Sequence, residues 1–382
     1  MFTANYPTTY PLRRIDYPDQ EEPDHTYFEI PDEEHLIFED IRESGYEIVC
    51  YLENNIPVYS NALRNCKTLA SLTEREIARV ESTLGISAYP LEKQCYPVLQ
   101  YILEKPKQPF LLLVWFLDPH APYNPPAPMR DRIPAQPESL RYEPKYYTEM
   151  RASKIKAMRK DLTPYEGRYL KSLYLAEVES VDRRIGFIIE ALKHSRLLEE
   201  TFIIVTSDHG ESFGEHGWYC HGGSIFSEVL THVPLILYGP TIPKGLRIEQ
   251  RVSHVGLSPT IAELLGVKPK GRFQGKSFAQ LAHGGSLQSE PIYFVNDSPH
   301  NTGIIAGPWK LLLKQKKNRK QIVRLFDMTS EGGDYMNVAD QHPDIVAKLK
   351  PMLLNFSKAN KELLASRNAS ATEQSEERKK AM

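Results

Sequence analysis

The sequence predicts an α/β fold, in which a mostly parallel β-sheet is sandwiched by helices and followed by a small C-terminal antiparallel α+β subdomain. Two short, unbroken apolar runs, 110–117 and 202–205, are typical of strands that are buried on both faces. A long apolar stripe at helical spacing over 165–196 joins them, as expected of the crossover helix in a βαβ unit. After residue 290, short alternating runs separated by turn residues indicate an antiparallel sheet.

The N-terminal part of the chain is predicted to begin as a loop and to continue as helices and one strand. Residues 1–35 are rich in proline, tyrosine and acidic residues, a composition that is typical of loops. Segment 36–46 has apolar residues at helical spacing and stops at Gly45, and 47–52 then has the composition of a strand. Residues 68–105 are predicted to be helical.

The later segments complete the predicted domain organisation. Residues 124–165 contain many prolines and basic residues, which favours a surface excursion over the site. A helix over 225–230 and a strand over 233–237 are expected next, and a closing helix over 343–359. The sequence therefore predicts a core over 1–288, an antiparallel subdomain over 289–360 and a disordered tail over 361–382.

Bulk composition excludes some classes of protein and limits others. The chain has 382 residues, is 41% hydrophobic and carries a net charge of −2, so nothing in it indicates a nucleic-acid partner. Its four cysteines are widely spaced and are expected to be free thiols. The longest apolar run, 110–117, is far shorter than the roughly 20 residues that span a bilayer. No signal peptide is visible, so the chain as written is expected to be soluble and cytoplasmic.

Chemistry-bearing side chains follow each of the two buried strands. Asp208 and His209 come just after the 202–205 run, and Asp118 and His120 come just after the 110–117 run. Ligands of open α/β sheets bind outside the carboxyl ends of the strands, so these residues are expected at one sheet edge. A carboxylate beside an imidazole suits a divalent metal ion. The simpler alternative is that these are ordinary loop and helix-capping residues.

One longer segment resembles a known family. Residues 206–240 contain TSDHGESFGEHG and HGGSIFSEVLTHVPLILYGP. This pattern resembles the C-terminal metal motif of the sulfatases, in the alkaline-phosphatase superfamily. The resemblance implies that Asp208 and His209 supply one side of a divalent-metal site for Ca, Mg or Mn. It also implies that His221, twelve residues after His209, contacts the sulfate, and that His120, in DPHAPY, contacts the ester sulfate or the leaving-group oxygen.

The part of the family pattern that carries the nucleophile is not found in the chain. In sulfatases the nucleophile is a formylglycine made from the Cys of Cys-x-Pro-x-Arg, and segment 95–99, Cys-Tyr-Pro-Val-Leu, lacks the Arg. Residues 2–14, FTANYPTTYPLRR, resemble the family segment just after the nucleophile. Glu53, Asn54 and Asn55 stand where many members have Lys-Trp-His. The resemblance therefore implies a sequence that is incomplete at the N-terminus.

These observations lead to one functional hypothesis with two alternatives. The first is a sulfatase-like hydrolase that acts on small-molecule or glycan sulfate esters through a divalent-metal site, incomplete as given. The alternatives are a catalytically silent sulfatase-like binding protein and a phosphodiesterase or phosphoryl transferase of the same superfamily. The nucleotide sequence upstream of the Met1 codon would discriminate them. The oligomeric state is open.

Overall fold

The computed structural model describes residues 13–15, 27–29, 35–53, 66–87, 92–134, 137–221, 226–271, 273–295, 301–315 and 321–381. The strands are β1 Arg13–Ile15, β2 Tyr27–Glu29, β3 Glu47–Leu52, β4 Lys67–Thr68, β5 Phe110–Trp115, β6 Ile203–Thr206, β7 Ser212–Phe213, β8 Tyr219–Cys220, β9 Leu235–Tyr238, β10 Ile292–Val295, β11 Asn301–Ala306, β12 Trp309–Gln315 and β13 Gln321–Asp327. The helices are α1 Ile37–Glu43, α2 Glu74–Leu84, α3 Tyr96–Leu103, α4 Ala127–Arg130, α5 Pro144–Thr148, α6 Ala152–Met158, α7 Pro164–His194, α8 Glu228–Thr231, α9 Leu257–Leu264, α10 Ala279–Ala282 and α11 Pro343–Ala381.

The sheets have the predicted character. Strands β4, β3 and β5 form a parallel sheet in that order, in which Glu47 lies opposite Phe110 and Leu52 opposite Trp115. Strand β6 pairs with β9, and this pair is antiparallel. Strands β10 to β13 form an antiparallel meander. The predicted α/β fold with a C-terminal antiparallel subdomain is confirmed, whereas the domain boundary at 288/289 stays a prediction.

Helix α7 begins and packs as its sequence dictates. Thr163 caps the helix through its hydroxyl, which accepts the Glu166 N–H at 3.2 Å, and the Glu166 carboxylate accepts the Thr163 N–H at 2.7 Å. Pro164 occupies the first helical position, where its missing N–H costs nothing. The apolar stripe is buried at positions such as Leu170 and Leu192. The helix therefore crosses from β5 to β6 while covering one face of the sheet.

An apolar cleft of about 2390 Å³ separates β5 from β6. Leu112 and Ile203 belong to the cluster under α3 and α7, whereas Leu111 and Ile204 pack towards α9 on the other face. The two strands thus lie in the same layer. In the described part of the chain β5 pairs only with β3, and β4 lies on the far side of β3. Strand β6 pairs only with β9. In the described part of the chain β5 and β6 are therefore not paired with each other, and the expectation that runs 110–117 and 202–205 are neighbouring or near-neighbouring parallel strands stays a prediction. Every residue of β5 and β6 is only partly buried, although strands covered on both faces are normally fully buried.

Segment 124–165 has many exposed residues, as expected of a surface excursion, but it also contributes buried residues to the interior. Tyr147 and Ile155 are fully buried, and they belong to one apolar cluster with Leu170 and Cys220. The cluster packs the short helices α5 and α6 against the first half of α7 and against β8. The prolines and basic residues of this segment concealed the apolar positions between them.

The C-terminal subdomain is docked on the rest of the chain by a buried lysine. Lys310 of β12 is completely buried, and its ammonium lies 2.9 Å from the Glu228 carboxylate at the start of α8. Asp334 lies 3.7 Å from the same ammonium and accepts the Glu228 N–H at 2.7 Å. His216, in the loop between β7 and β8, lies 3.4 Å from the other oxygen of Asp334. These contacts tie the subdomain to the loop that leads to His221.

The chain ends in the long helix α11. The backbone of this helix is continuous up to Ala381, and the disordered tail expected over 361–382 stays a prediction. Alanine, glutamate, lysine and arginine dominate this segment, and all are good helix formers. Among the described residues, helices that combine the length and the apolar character needed to cross a membrane do not occur.

The cysteines differ from the expectation. Cys50 in β3 and Cys66 just before β4 form a disulfide with a Cα–Cα distance of 6.1 Å. Cys95 and Cys220 are free and buried. A spacing of 16 residues gives no signal for pairing in the sequence, and the parallel pairing of β3 with β4 brings these two together.

Candidate active site

The predicted site residues lie on two loops that leave β5 and β6. The backbone N–H of His120 donates to the Leu117 carbonyl at 3.0 Å, which turns the chain directly after β5. Asp208 and His209 follow β6, and the next residue, Gly210, donates its N–H to the Leu230 carbonyl. A Cβ on Gly210 would lie 2.0 Å from a backbone oxygen of α8, so only glycine permits this approach.

Three imidazole rings form a row at this edge of the sheet. The ring centroid of His221 lies 4.1 Å from that of His209 and 4.9 Å from that of His120. His209 Nε2 lies 3.6 Å from the Asp208 carboxylate. The structure thus brings all four sequence-predicted side chains to one place, with His221 in the centre.

Hydrogen bonds orient the two histidines to which the resemblance assigns substrate contacts. His120 Nδ1 lies 2.6 Å from the Ala121 carbonyl, so the ring donates through Nδ1 and leaves Nε2 open. His221 Nδ1 lies 3.2 Å from Glu211, whose side chain is only 4% exposed. Sequence reasoning did not assign Glu211 to the site, although it lies between the metal pair and His221 in the motif. The buried Glu211 carboxylate fixes the orientation of the His221 ring.

Burial sets the charge of His120. Desolvation lowers the pKa of His120, and the neighbouring His221 lowers it further, so the neutral imidazole is favoured. His120 and His221 are therefore not equivalent, because one ring is held by a neutral carbonyl and the other by a carboxylate.

Asp208 and His209 have the chemistry of two ligands to one divalent ion. His209 Nδ1 is engaged by the Gly210 carbonyl at 2.8 Å, which leaves Nε2 on the side of the Asp208 carboxylate. Both side chains are more than one third exposed, so an ion can reach them. No cluster of three or more potential metal ligands occurs within the described residues, and Ca²⁺ or Mg²⁺ takes about six or more ligands. The pair therefore fits an ion as part of its coordination shell.

A buried ionic network fixes the loop that carries His120. Arg184 of α7 is completely buried and donates to Glu53 at the end of β3 and, at 2.7 Å, to Asp118 at the end of β5. Glu53 also accepts the Leu117 N–H at 2.9 Å. Glu53 therefore has a structural role in this chain. The network holds two strand ends and the crossover helix together beneath the site.

Helix α7 also carries a buried carboxyl group, that of Glu177, two turns before Arg184. Glu177 is 1% exposed, and its Oε1 accepts the Asn124 N–H at 2.5 Å, whereas Oε2 has no hydrogen-bond partner among the described residues. Desolvation and the nearby Asp118 raise the pKa of Glu177 to about 9, so it is protonated at neutral pH. Sequence reasoning treated α7 as an apolar stripe and missed both Arg184 and Glu177.

Neither free cysteine can serve as a nucleophile. Burial raises the pKa of Cys95 and of Cys220 to about 12, so both stay as thiols at neutral pH. A thiol that is buried and protonated is inert. Among the described residues, the other two cysteines form the disulfide.

The layered architecture and the position of the histidines define an α/β protein of the alkaline-phosphatase-like type. The solved structure of a 2-O GAG sulfatase superposes with a TM-score of 0.68 over 96% of this chain and 81% of its own, at 17% identity. The phosphonate monoester hydrolase from Silicibacter pomeroyi superposes with a TM-score of 0.66 over 94% of this chain and 84% of its own, at 18% identity. At these identities the likeness shows the fold alone.

The sequence comparisons identify the family. The sequence model of the Sulfatase family matches residues 3–267, which is more than half of the chain, and the chain therefore belongs to the sulfatase family. A sulfatase from Formosa agariphila is 30% identical over 195 residues, which make up 48% of this chain and 38% of the relative. The matched region spans about two fifths of the length of the curated relatives.

Proposed function

We propose that this chain provides the metal-binding and substrate-binding side of a hydrolase that cleaves sulfate esters of small molecules or glycans. The observation that carries the proposal is the row of His120, His221 and His209 beside Asp208 at the carboxyl ends of β5 and β6, in a member of the sulfatase family. A structural neighbour that is a 2-O GAG sulfatase supports a glycan ester as the substrate class.

The two substrate-facing histidines have different roles in this proposal. His221 donates a proton to the leaving-group oxygen, and the contact of its Nδ1 with the Glu211 carboxylate holds the ring in place for this role. His120 stays neutral and, through Nε2, helps to orient the substrate by accepting a hydrogen bond from a substrate hydroxyl or from a bound water. Removing one such group typically lowers the rate by about 10²-fold to 10⁴-fold.

Asp208 and His209 would hold the divalent ion. When bound, such an ion acts as a Lewis acid on a sulfate oxygen. The chain's own contribution is to hold the His209 ring through Gly210 so that Nε2 and the Asp208 carboxylate lie on the same side. The choice among Ca, Mg and Mn depends on the ligands that complete the shell.

The cleft between β5 and β6 supports the proposal that the catalytic centre is completed by a further β-strand. It lies within the sheet layer, both of its strand edges are unpaired in the described part of the chain, and the side chains of β5 and β6 that line it are mostly apolar. Its carboxyl end opens at His120 and Asp208, where an inserted strand would deliver further metal ligands and a nucleophile. Neighbouring strands lie about 4.8 Å apart, so a strand is the element that can fill a gap within a sheet.

Activity assays on two forms of the polypeptide test this proposal. Residues 1–382 alone are expected to show no hydrolysis of an aryl sulfate with added Ca²⁺, Mg²⁺ or Mn²⁺, because no activated nucleophile lies beside the histidines among the described residues. A polypeptide extended in frame upstream of the Met1 codon should show metal-dependent turnover. Asp208→Ala should abolish that turnover and His221→Ala should reduce it by about 10²-fold or more. His194→Ala, at the exposed end of α7, is the matched control and should leave it unchanged.

Two results would contradict the proposal. Metal-dependent turnover by residues 1–382 alone would mean that the described site is already complete. Loss of activity in Asp208→Ala without any dependence on added or bound metal would assign that residue a different role.

A phosphate or phosphonate ester is the second candidate substrate, since a phosphonate monoester hydrolase is among the structural neighbours. Aryl phosphate and aryl phosphonate assayed beside the aryl sulfate distinguish the two. A preference for the phosphorus esters would favour this candidate, and inactivity of the extended polypeptide towards all three esters would favour a silent binding protein.

A further inference from the structure

A basic surface adjoins the row of histidines and is not used by the proposed reaction. Helix α6 packs on β8, where Ile155 shares an apolar cluster with Tyr219 and Cys220, the two residues that precede His221. Lys156 of α6 and Arg151 just before α6 line the same cleft as His120 and His221. The packing of α6 therefore brings cationic side chains beside the position of the scissile ester.

Lys156 is the central residue of this surface. It is half-buried on the cleft wall and is near enough to Cys220 to act on that thiol electrostatically. Within the described residues, no carboxylate lies at ion-pair distance from Lys156. Lys171 of α7 also lines the cleft, but its ammonium lies 3.6 Å from Glu215, which offsets part of its charge. A half-buried ammonium without a carboxylate partner is a suitable contact for an anionic ligand group.

The other acidic groups of the cleft wall beside these residues are engaged. Asp118 is paired with Arg184, Glu211 contacts His221, and Glu215 contacts Lys171. Trp218, three residues before His221, is 39% exposed and carries the guanidinium of Arg159 over its ring at 5.1 Å. The surface beyond His221 thus combines cationic side chains with an aromatic ring.

We propose that Lys156, with Arg151 and Lys171, forms a second anion-binding subsite that holds a further sulfate or carboxylate group of a polyanionic sugar chain. The inference rests on the proposed function, in which the ester to be cleaved lies at His120 and His221. A second anionic group on a neighbouring sugar would then lie against α6. The subsite selects substrates that carry more than one anionic group.

Direct binding measurements on the full chain test the subsite without requiring turnover. The probes are sucrose octasulfate, trigalacturonate and neutral sucrose, followed by calorimetry at low and moderate salt. Lys156→Glu is expected to weaken octasulfate binding by about tenfold or more, as the loss of one charge-assisted contact does. Lys154→Glu, two residues away on the exposed side of α6, has the same charge change and should alter binding by about twofold at most.

The outcomes separate the subsite from general attraction and from the proposed reaction. Equal weakening by Lys154→Glu and Lys156→Glu, or no binding of either anionic probe by the wild-type chain, would overturn the proposal. Lys156-dependent binding of trigalacturonate would support it and would identify carboxylate groups as ligands. Lys156→Gln, which removes the charge without reversing it, serves if the glutamate variant fails to fold. Failure of the extended polypeptide to hydrolyse an aryl sulfate would count against the proposed function and leave these binding results standing.

Discussion

Replacing the buried carboxyl of Glu177 by an amide should change the pH dependence of stability in a defined direction. The pKa of Glu177 is raised from 4.5 to about 9 in the folded chain, so between these values the native state keeps one proton that the unfolded state releases. The resulting stabilisation is fully present below the unfolded-state pKa and is lost as the pH rises through the folded-state pKa. The free energy of unfolding should therefore fall by about 1.4 kcal/mol per pH unit through this group.

Glu177→Gln removes this titration and keeps the geometry. The glutamine Oε1 still accepts the Asn124 N–H, and the amide carries no ionisable proton. From about pH 6 to about pH 8, the wild-type chain should lose about 3 kcal/mol more than the variant in free energy of unfolding. The assay is urea unfolding at both pH values, followed by tryptophan fluorescence.

Glu179→Gln is the matched control, because Glu179 lies on the same helix but is 47% exposed and pairs with Arg132 at the surface. The free energy of unfolding of Glu179→Gln should depend on pH in the same way as that of the wild-type chain. If Glu177→Gln and the wild type have parallel profiles over this range, Glu177 is ionised in the folded chain and the reasoning about its desolvation is wrong.

Three further predictions concern the scaffold of the site. Replacing Cys50 and Cys66 by serine should lower the free energy of unfolding by about 3 kcal/mol, because the disulfide closes a loop with a separation of 16 residues. Thermal or urea unfolding with and without reductant measures this loss. Arg184→Met should cost about 3 to 5 kcal/mol in the same assay, because it leaves two carboxylates without their partner, and a cost below about 1 kcal/mol would contradict the buried network. Gly210→Ala should destabilise the chain and weaken metal binding by calorimetry, because its Cβ would meet the Val229 carbonyl oxygen, and unchanged metal affinity would contradict the assigned packing.

The fold could be predicted from the sequence wherever the apolar pattern has a single interpretation. The structure has β5 in the run 110–117 and α7 in the stripe over 165–196. The alternating runs after 290 form the C-terminal meander. The pattern could not show that β5 and β6 are separated by a cleft, because an apolar run specifies burial but not the identity of its neighbour. The buried residues of segment 124–165 could not be predicted, because prolines and charged residues separate them in the sequence.

The candidate site divides in the same way. Asp208, His209, His221 and His120 could be found because they follow strands and match a family pattern. The sequence could not show the roles of Glu211, Arg184 and Glu177. Each of them acts through a partner that is distant in the chain or lies within a helical apolar stripe. Their roles depend on desolvation and on which carboxylate lies beside which cation, and neither is a property of local sequence.

The buried contact between Lys310 and Glu228 has a consequence for how such a chain can evolve. A subdomain that is joined by an exposed linker can be exchanged between genes as an independent unit. Here exchange would leave Glu228 facing a foreign strand, and an ammonium without its carboxylates in the interior. Recombination at this boundary is therefore expected to succeed only when both partners of the contact are inherited together, so the core and the subdomain should descend as one lineage.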